Sequence, residues 1–241
     1  AMALSLDVVR LGRFAARITY ELEVDEVTTP SGYSSAFAFA PTEEARLLFP
    51  VGLTTMHSLR PTLLLDYRDS VAVPRRGWYA EVTLEWEHSL GGPDERAPFG
   101  LLPGSETFID LLKLSGTAST YLSIGKSVLA LQLRAGQVFQ LDPRSQTIAP
   151  KRFYLGGAAT MRGYGEYEMM PEDRRTLAAQ QMQRCATLAS GLGCSPELQR
   201  RLNAGLMVPS EGGQAFALVK GELRVPLGGS LEAGFFADVG N

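Results

Sequence analysis

Residues 78–87 alternate cleanly between two faces. Trp78, Ala80, Val82, Leu84 and Trp86 fall on one, and Tyr79, Glu81, Thr83, Glu85 and Glu87 on the other. A period of two puts successive side chains on opposite sides of an extended chain, so the segment reads as a β-strand. An earlier segment repeats it, with Phe14, Ala16, Ile18, Tyr20, Leu22 and Val24 against Arg13, Ala15, Arg17, Thr19, Glu21 and Glu23. Leu112, Leu114, Gly116 and Ala118 oppose Lys113, Ser115, Thr117 and Ser119, and Leu129, Leu131 and Leu133 oppose Ala130, Gln132 and Arg134. Late in the chain Val219, Gly221, Leu223 and Val225 alternate with Lys220, Glu222 and Arg224. At the end the wholly apolar set Leu231, Ala233, Phe235, Ala237 and Val239 alternates with Glu232, Gly234, Phe236, Asp238 and Gly240. About eight strand candidates result.

Turn residues punctuate them: Val73-Pro74-Arg75-Arg76-Gly77, Ser123-Ile124-Gly125-Lys126 and Pro226-Leu227-Gly228-Gly229, with a longer loop running from Leu90 to about Ser105. Strands of about ten residues suit a tilted membrane crossing. A soluble antiparallel sandwich also alternates, although its strands are usually nearer five or six residues. Alternation alone leaves both architectures open. Residues 171–207 break the pattern. Their Glu-, Arg-, Gln- and Ala-rich composition reads as helical, with a second short helix capped by Ser195 and opened by Pro196 and Glu197. The stretch is too small for its own core and reads as an insertion in a long loop.

Composition changes this picture little. The 241 residues carry 23 Lys and Arg against 26 Asp and Glu, which offers no basic footprint for nucleic acid. No run of about 18 apolar residues predicts a transmembrane helix, and no signal peptide is visible. The leading Ala1-Met2-Ala3 reads as a cloning remnant. Cys185 and Cys194 lie nine apart in a polar segment, far from His57 and His88. No metal site is expected from so few ligands. A disulfide closing a short loop, and an oxidising compartment with it, is expected ahead of two free thiols.

No catalytic constellation assembles. Neither histidine accompanies a nucleophile elbow, and Gly163-Tyr164-Gly165 lacks the context of a phosphate loop. The histidines read as rim residues. Glu81, Glu85 and Glu87 read as one polar wall, and Trp78, Tyr79 and Trp86 as interfacial aromatics at strand ends. No enzyme activity and no cofactor are expected.

Residues 152–165 read Arg152-Phe153-Tyr154-Leu155-Gly156-Gly157-Ala158-Ala159-Thr160-Met161-Arg162-Gly163-Tyr164-Gly165. Downstream come Gly221-Glu222-Leu223-Arg224-Val225-Pro226 and Phe236-Ala237-Asp238-Val239-Gly240; upstream lies Leu65-Asp66-Tyr67-Arg68-Asp69 followed by Pro74-Arg75-Arg76-Gly77. Taken alone, Arg162 would be an ordinary solvated arginine and Asp238 a turn cap. All four segments in this order resemble the BamA/TamA-type outer-membrane assembly factor superfamily, also called the bacterial surface antigen family. The resemblance covers the chain from about Leu59 onward, and the cysteine-bearing insertion departs from it.

The resemblance implies an all-β fold, an antiparallel transmembrane β-barrel of sixteen strands that is present here in part. Residues 1–241 would form part of that one barrel domain, with 150–212 a long extracellular loop folding into the lumen and 171–207 its helical insertion. The POTRA domains and last strands would lie outside this sequence, as parts of a larger protein. It also implies a loop-tip lock. Arg162, Gly163 and Tyr164, supported by Gly156 and Gly157, would dock on a wall formed by Glu222, Phe236, Asp238 and Gly240. Strand parity turns Glu222 and Asp238 to one face, where a guanidinium can form charge-assisted bonds. The implied function is insertion of β-barrel proteins into, or translocation across, a bacterial outer membrane. The implied partners are outer-membrane lipid, unfolded β-barrel or secreted substrates, and candidate periplasmic accessory proteins. A two-partner-secretion translocase and a passive channel or receptor are the alternatives, with a soluble β-sandwich binding module more distant.

Overall fold

The structure, a computed structural model, describes residues 2–27, 52–90, 108–166, 169, 212–228 and 231–241. Cys185, Cys194 and the helical insertion expected at 171–207 lie outside the described residues. Eight strands form one antiparallel sheet in chain order: β1 (Met2–Leu11), β2 (Phe14–Val27), β3 (Gly52–Asp66), β4 (Gly77–Ser89), β5 (Asp110–Ile124), β6 (Ser127–Gln140), β7 (Ala215–Gly228) and β8 (Leu231–Gly240). Their lengths, 10 to 15 residues, exceed those of ordinary soluble strands. Among the described residues no helix is long and apolar enough to cross a membrane, which says nothing against crossing by strands.

At the edges, the first strand includes Met2 and Ala3. Its apolar Met2, Leu4 and Leu6 sit opposite Leu22, Tyr20 and Ile18 of β2 before a register shift between Asp7 and Val9. Tyr67, Arg68 and Asp69 leave the strand. β3 stops at Asp66, whose carboxylate accepts from the Arg68 backbone (3.1 Å) and guanidinium (2.8 and 2.7 Å), curling the chain into the turn toward Gly77.

The chain divides into two compact units, Ala1–Arg152 with Gln214–Gly240, and Phe153–Gly213 with the final residue. The first holds the whole sheet. Short connections lie at one end of its strands, between β1 and β2, β3 and β4, β5 and β6, and β7 and β8. Long ones lie at the other. This asymmetry is that of an outer-membrane barrel, with short turns on one side and long loops on the other.

Burial separates the rival architectures. The apolar face of every strand is open: Leu4 is 75% exposed, Phe235 64% and Val239 71%. The polar face carries the buried residues instead, among them Met56, Ser58, Glu85, Glu87, Leu111 and Leu218. Residues 141–152 lie over part of it, contributing buried Ser145, Thr147, Ile148, Ala149 and Lys151. A water-soluble sandwich would bury its apolar faces against each other. Here the sheet is apolar outside and polar inside, the arrangement that lipid requires.

Candidate functional site: the inner wall and the glycine-rich loop

Cross-strand register decides which side chains share the inner face. Arg17 of β2 faces Asp7 of β1, and their side chains pair at 2.7 Å. Glu21 faces Ser58, and Ser58 faces Glu87. Glu85 faces Lys113, and Thr117 faces Arg134. Gln132 faces Lys220, which faces Asp238, while Glu222 faces Phe236. Charge that looks crowded along one strand in the sequence is thus neutralised between strands. Arg60 of β3 donates to Glu21 at 3.3 Å and to Glu85 at 2.5 Å, bridging β2 and β4. Among groups outside the spanning strands, the Arg68 guanidinium is held above its ordinary value by its bonds to Asp66.

Aromatic rings mark both ends of the outer face. Tyr67 and Trp78 stack at 4.7 Å beside the short turns. Trp86 stacks on His88 at 5.8 Å toward the long loops, with His57 edge-on to Trp86 at 5.3 Å. Trp78 and Trp86 are eight residues apart, or roughly 26 Å along the strand, comparable to the roughly 25 Å apolar band of an outer-membrane barrel. Both histidines are therefore rim residues. Tyr79, expected among the interfacial aromatics, instead faces inward. Its hydroxyl donates to Glu81, and Arg68 stacks 4.6 Å above its ring. Its odd position in the strand decides this: adjacent residues cannot share a face.

The structure also joins two of the sequence motifs. Arg224, in the segment starting at Gly221, donates to the Pro74 carbonyl in the turn between β3 and β4. The same turn is tied to the next one, since Arg75 donates to Lys126 O at 2.7 Å and Ser123 donates to Arg75 O at 3.0 Å. Nothing in the local sequence pointed to these contacts, because the partners lie 150, 51 and 48 residues apart.

Of the expected wall partners, Glu222, Phe236, Asp238 and Gly240 all fall on the inner face. Glu222 and Asp238 sit diagonally across the pairing of β7 with β8 and are half-buried. An added Cβ at Gly234, on the same face, would meet nothing within 4 Å.

In the second unit, Gly156 to Tyr164 fold into a closed turn. The Gly157 amide donates to Tyr164 O at 3.0 Å, and Thr160 Oγ1 accepts from the Gly156 amide (2.8 Å) while donating to its carbonyl (2.7 Å). Gly156 and Gly157 adopt φ of 120° and 85°, which side chains disfavour. At Gly163 φ is not in the left-handed region and an added Cβ would meet nothing within 4 Å. Neither backbone shape nor close approach within this unit requires a glycine there. Met161 is buried, Arg162 half-buried, and Gly163 and Tyr164 exposed. The structure thus gathers the loop-tip residues in one turn and the wall residues on one sheet face.

The described residues contain no cluster of His, Cys, Asp and Glu fit to hold a metal ion. What they define is the sheet of a membrane-spanning β-barrel, with a folded segment, residues 141–166, following β6. The Omp85 superfamily domain matches residues 14–241, and the chain belongs to that superfamily. Its fold is similar to the crystal structure of BamA from Haemophilus ducreyi lacking POTRA domains 1-3. The TM-score is 0.57 at 13% identity, covering 99% of this chain and 40% of that one. A SAM50-like protein of Schizosaccharomyces pombe is 33% identical over 125 residues, 52% of this chain and 24% of that protein. The chain thus spans less than half the length of either.

Proposed function

We propose that this chain is barrel wall and loop of an outer-membrane protein assembly factor, which inserts β-barrel proteins into the membrane or passes proteins across it. Superfamily membership across residues 14–241 carries the reading. An apolar outside, a charged inner wall and a closed glycine-rich turn support it. The membrane is a bacterial outer membrane in this reading; the partners are its lipid, unfolded β-barrel or secreted substrates, and periplasmic accessory proteins. No bond-making chemistry is involved, so the protein is not an enzyme.

Within it, Arg162 is the lock: its guanidinium pairs with Glu222 and Asp238 and holds the loop tip on the wall. Removing one partner from a partly buried ion pair leaves charge uncompensated, at a cost between the roughly 0–1 kcal/mol of a surface pair and the roughly 3–5 kcal/mol of a fully buried one. The test uses the full-length protein in liposomes, with an unfolded outer-membrane β-barrel protein added as substrate. The expected result is faster appearance of folded, protease-protected substrate than with empty liposomes, and a loss of at least about tenfold in Arg162→Ala. Ion conductance without any gain in insertion overturns the assembly reading in favour of a passive channel. Full activity and unchanged heat resistance in Arg162→Ala overturn the lock alone.

A further inference from the structure

Lys151 ends the 3-10 turn Ala149–Lys151 and is buried, although it belongs to a connection rather than to the sheet. Its ammonium lies 2.8 Å from Glu87 Oε1 and 3.6 Å from Glu23 Oε2. Glu87, on β4, is 0% exposed; Glu23 is on β2, two strands away. This end of the inner wall is rich in acid: Glu21, Glu23 and Asp25 on β2, and Glu85 and Glu87 on β4. The strands answer with Arg60, which is occupied by Glu21 and Glu85, and with Lys113, which faces Glu85. The cation in direct contact with Glu87, and within 4 Å of Glu23, comes from outside the sheet.

The position of Lys151 in the chain gives this contact a consequence. Arg152 follows and donates through Nε to Thr147 O at 3.1 Å. Phe153 comes next and exchanges both backbone hydrogen bonds with Gly213, each 2.8 Å, closing the neck of the glycine-rich loop. We propose that Lys151 is a positioning residue whose ammonium, seated between Glu87 and Glu23, clamps the root of that loop to the inner wall independently of Arg162 at the tip. The clamp concerns where the loop is held and stands whatever the protein inserts or passes.

Physical chemistry favours a clamp over an incidental contact. A surface lysine pairing in water gains little. A fully buried carboxylate is in a different position, because losing the cation in contact with it leaves its charge poorly compensated away from water. Burial alone would push the Lys151 ammonium down, but Glu87, Glu85 and Glu23 outweigh it and hold the group above the ordinary lysine value. The side chain is therefore cationic at neutral pH. It also reaches both β2 and β4, so the root is tied to two strands by one group.

Hydrogen exchange of the full-length protein in proteoliposomes, read by mass spectrometry on peptides covering Phe153 and Gly213, tests this. Lys151→Met keeps the apolar stem and removes the charge. It is expected to speed exchange at the neck by about tenfold or more, and Lys151→Glu further still. Lys151→Arg, and the charge swap Lys151→Glu with Glu87→Lys, are expected to return the rate to within about threefold of the unaltered protein. Arg162→Ala is expected to leave the neck rate unchanged. A folded Lys151→Met with unaltered neck exchange overturns the clamp. So does a uniform rise across all strands without excess at the neck, or a swap that rescues nothing. Should Lys151→Met not fold, Glu87→Gln removes the charge from the wall side at constant volume, and an unaltered neck in that variant overturns the clamp as well.

Discussion

Single charged residues on the inner wall are explained by partners on neighbouring strands or on the connection that lies over them. Arg17 with Asp7, Arg60 with Glu21 and Glu85, and Lys151 with Glu87 and Glu23 convert a face of mixed charge into a neutralised lattice. One glycine is dictated equally strictly. Gly77 begins β4 at φ 101°, and a Cβ there would lie 2.1 Å from the Tyr67 carbonyl oxygen. Gly77→Ala is expected to destabilise the barrel by roughly 1–3 kcal/mol or to misplace the turn. Urea unfolding in lipid vesicles measures this. Gly12→Ala is the control, since its left-handed φ of 58° has open space around it and should cost only about 1 kcal/mol.

At the scale of elements, the turn between β3 and β4 behaves as a small structure of its own. Asp69 Oδ1 accepts from the Arg75, Ser70 and Arg76 amides at 2.9, 3.0 and 3.2 Å, and these bonds hold its carboxyl below the ordinary aspartate value. A depressed folded-state value means stability that is present above the unfolded value, about 3.9, and lost as pH falls through the folded one. Asp69→Asn is therefore expected to flatten the fall in stability as pH drops below about 4, seen as a smaller shift in the heat-induced mobility transition. An unchanged acid slope would show that the turn is set by its backbone alone. The loop between β6 and β7 is the second such element. Its connection leaves β6 at Gln140 and the compact unit begins at Phe153, so the expected 150–212 boundary falls inside the connection. The intervening residues 141–152 are stitched to the sheet by Leu141 N to Asp110 O (2.9 Å) and Gln146 N to Phe108 O (3.0 Å).

For the whole molecule, the deciding property is which face meets the solvent. Val82 and Leu131 lie mid-strand on the open apolar face, with Gln132 next to Leu131 on the inner one. Val82→Lys and Leu131→Arg are each expected to cost roughly 2–4 kcal/mol in a bilayer, and Gln132→Lys far less. Unfolding in vesicles distinguishes them. Equal tolerance of all three would mean that the apolar face is not lipid-facing.

The period of two in residues 78–87 and 231–239 by itself determined strand, face and parity, because alternation is a local property of an extended chain. The ordered segments around Gly156, Glu222 and Asp238 likewise made the family legible before any coordinates. The first strand is marked in the same way by the alternation of Met2, Leu4 and Leu6. Other features were decided only by tertiary structure. Alternation cannot say whether the apolar face is buried against protein or open to lipid; the burial of the polar face settled it. Nor can a lysine following Pro150 in a connection announce a carboxylate on a strand sixty-four residues earlier. Ion pairs and the tie from Arg224 to Pro74 join residues far apart in the chain, and register across a folded sheet is what brings their charges within reach.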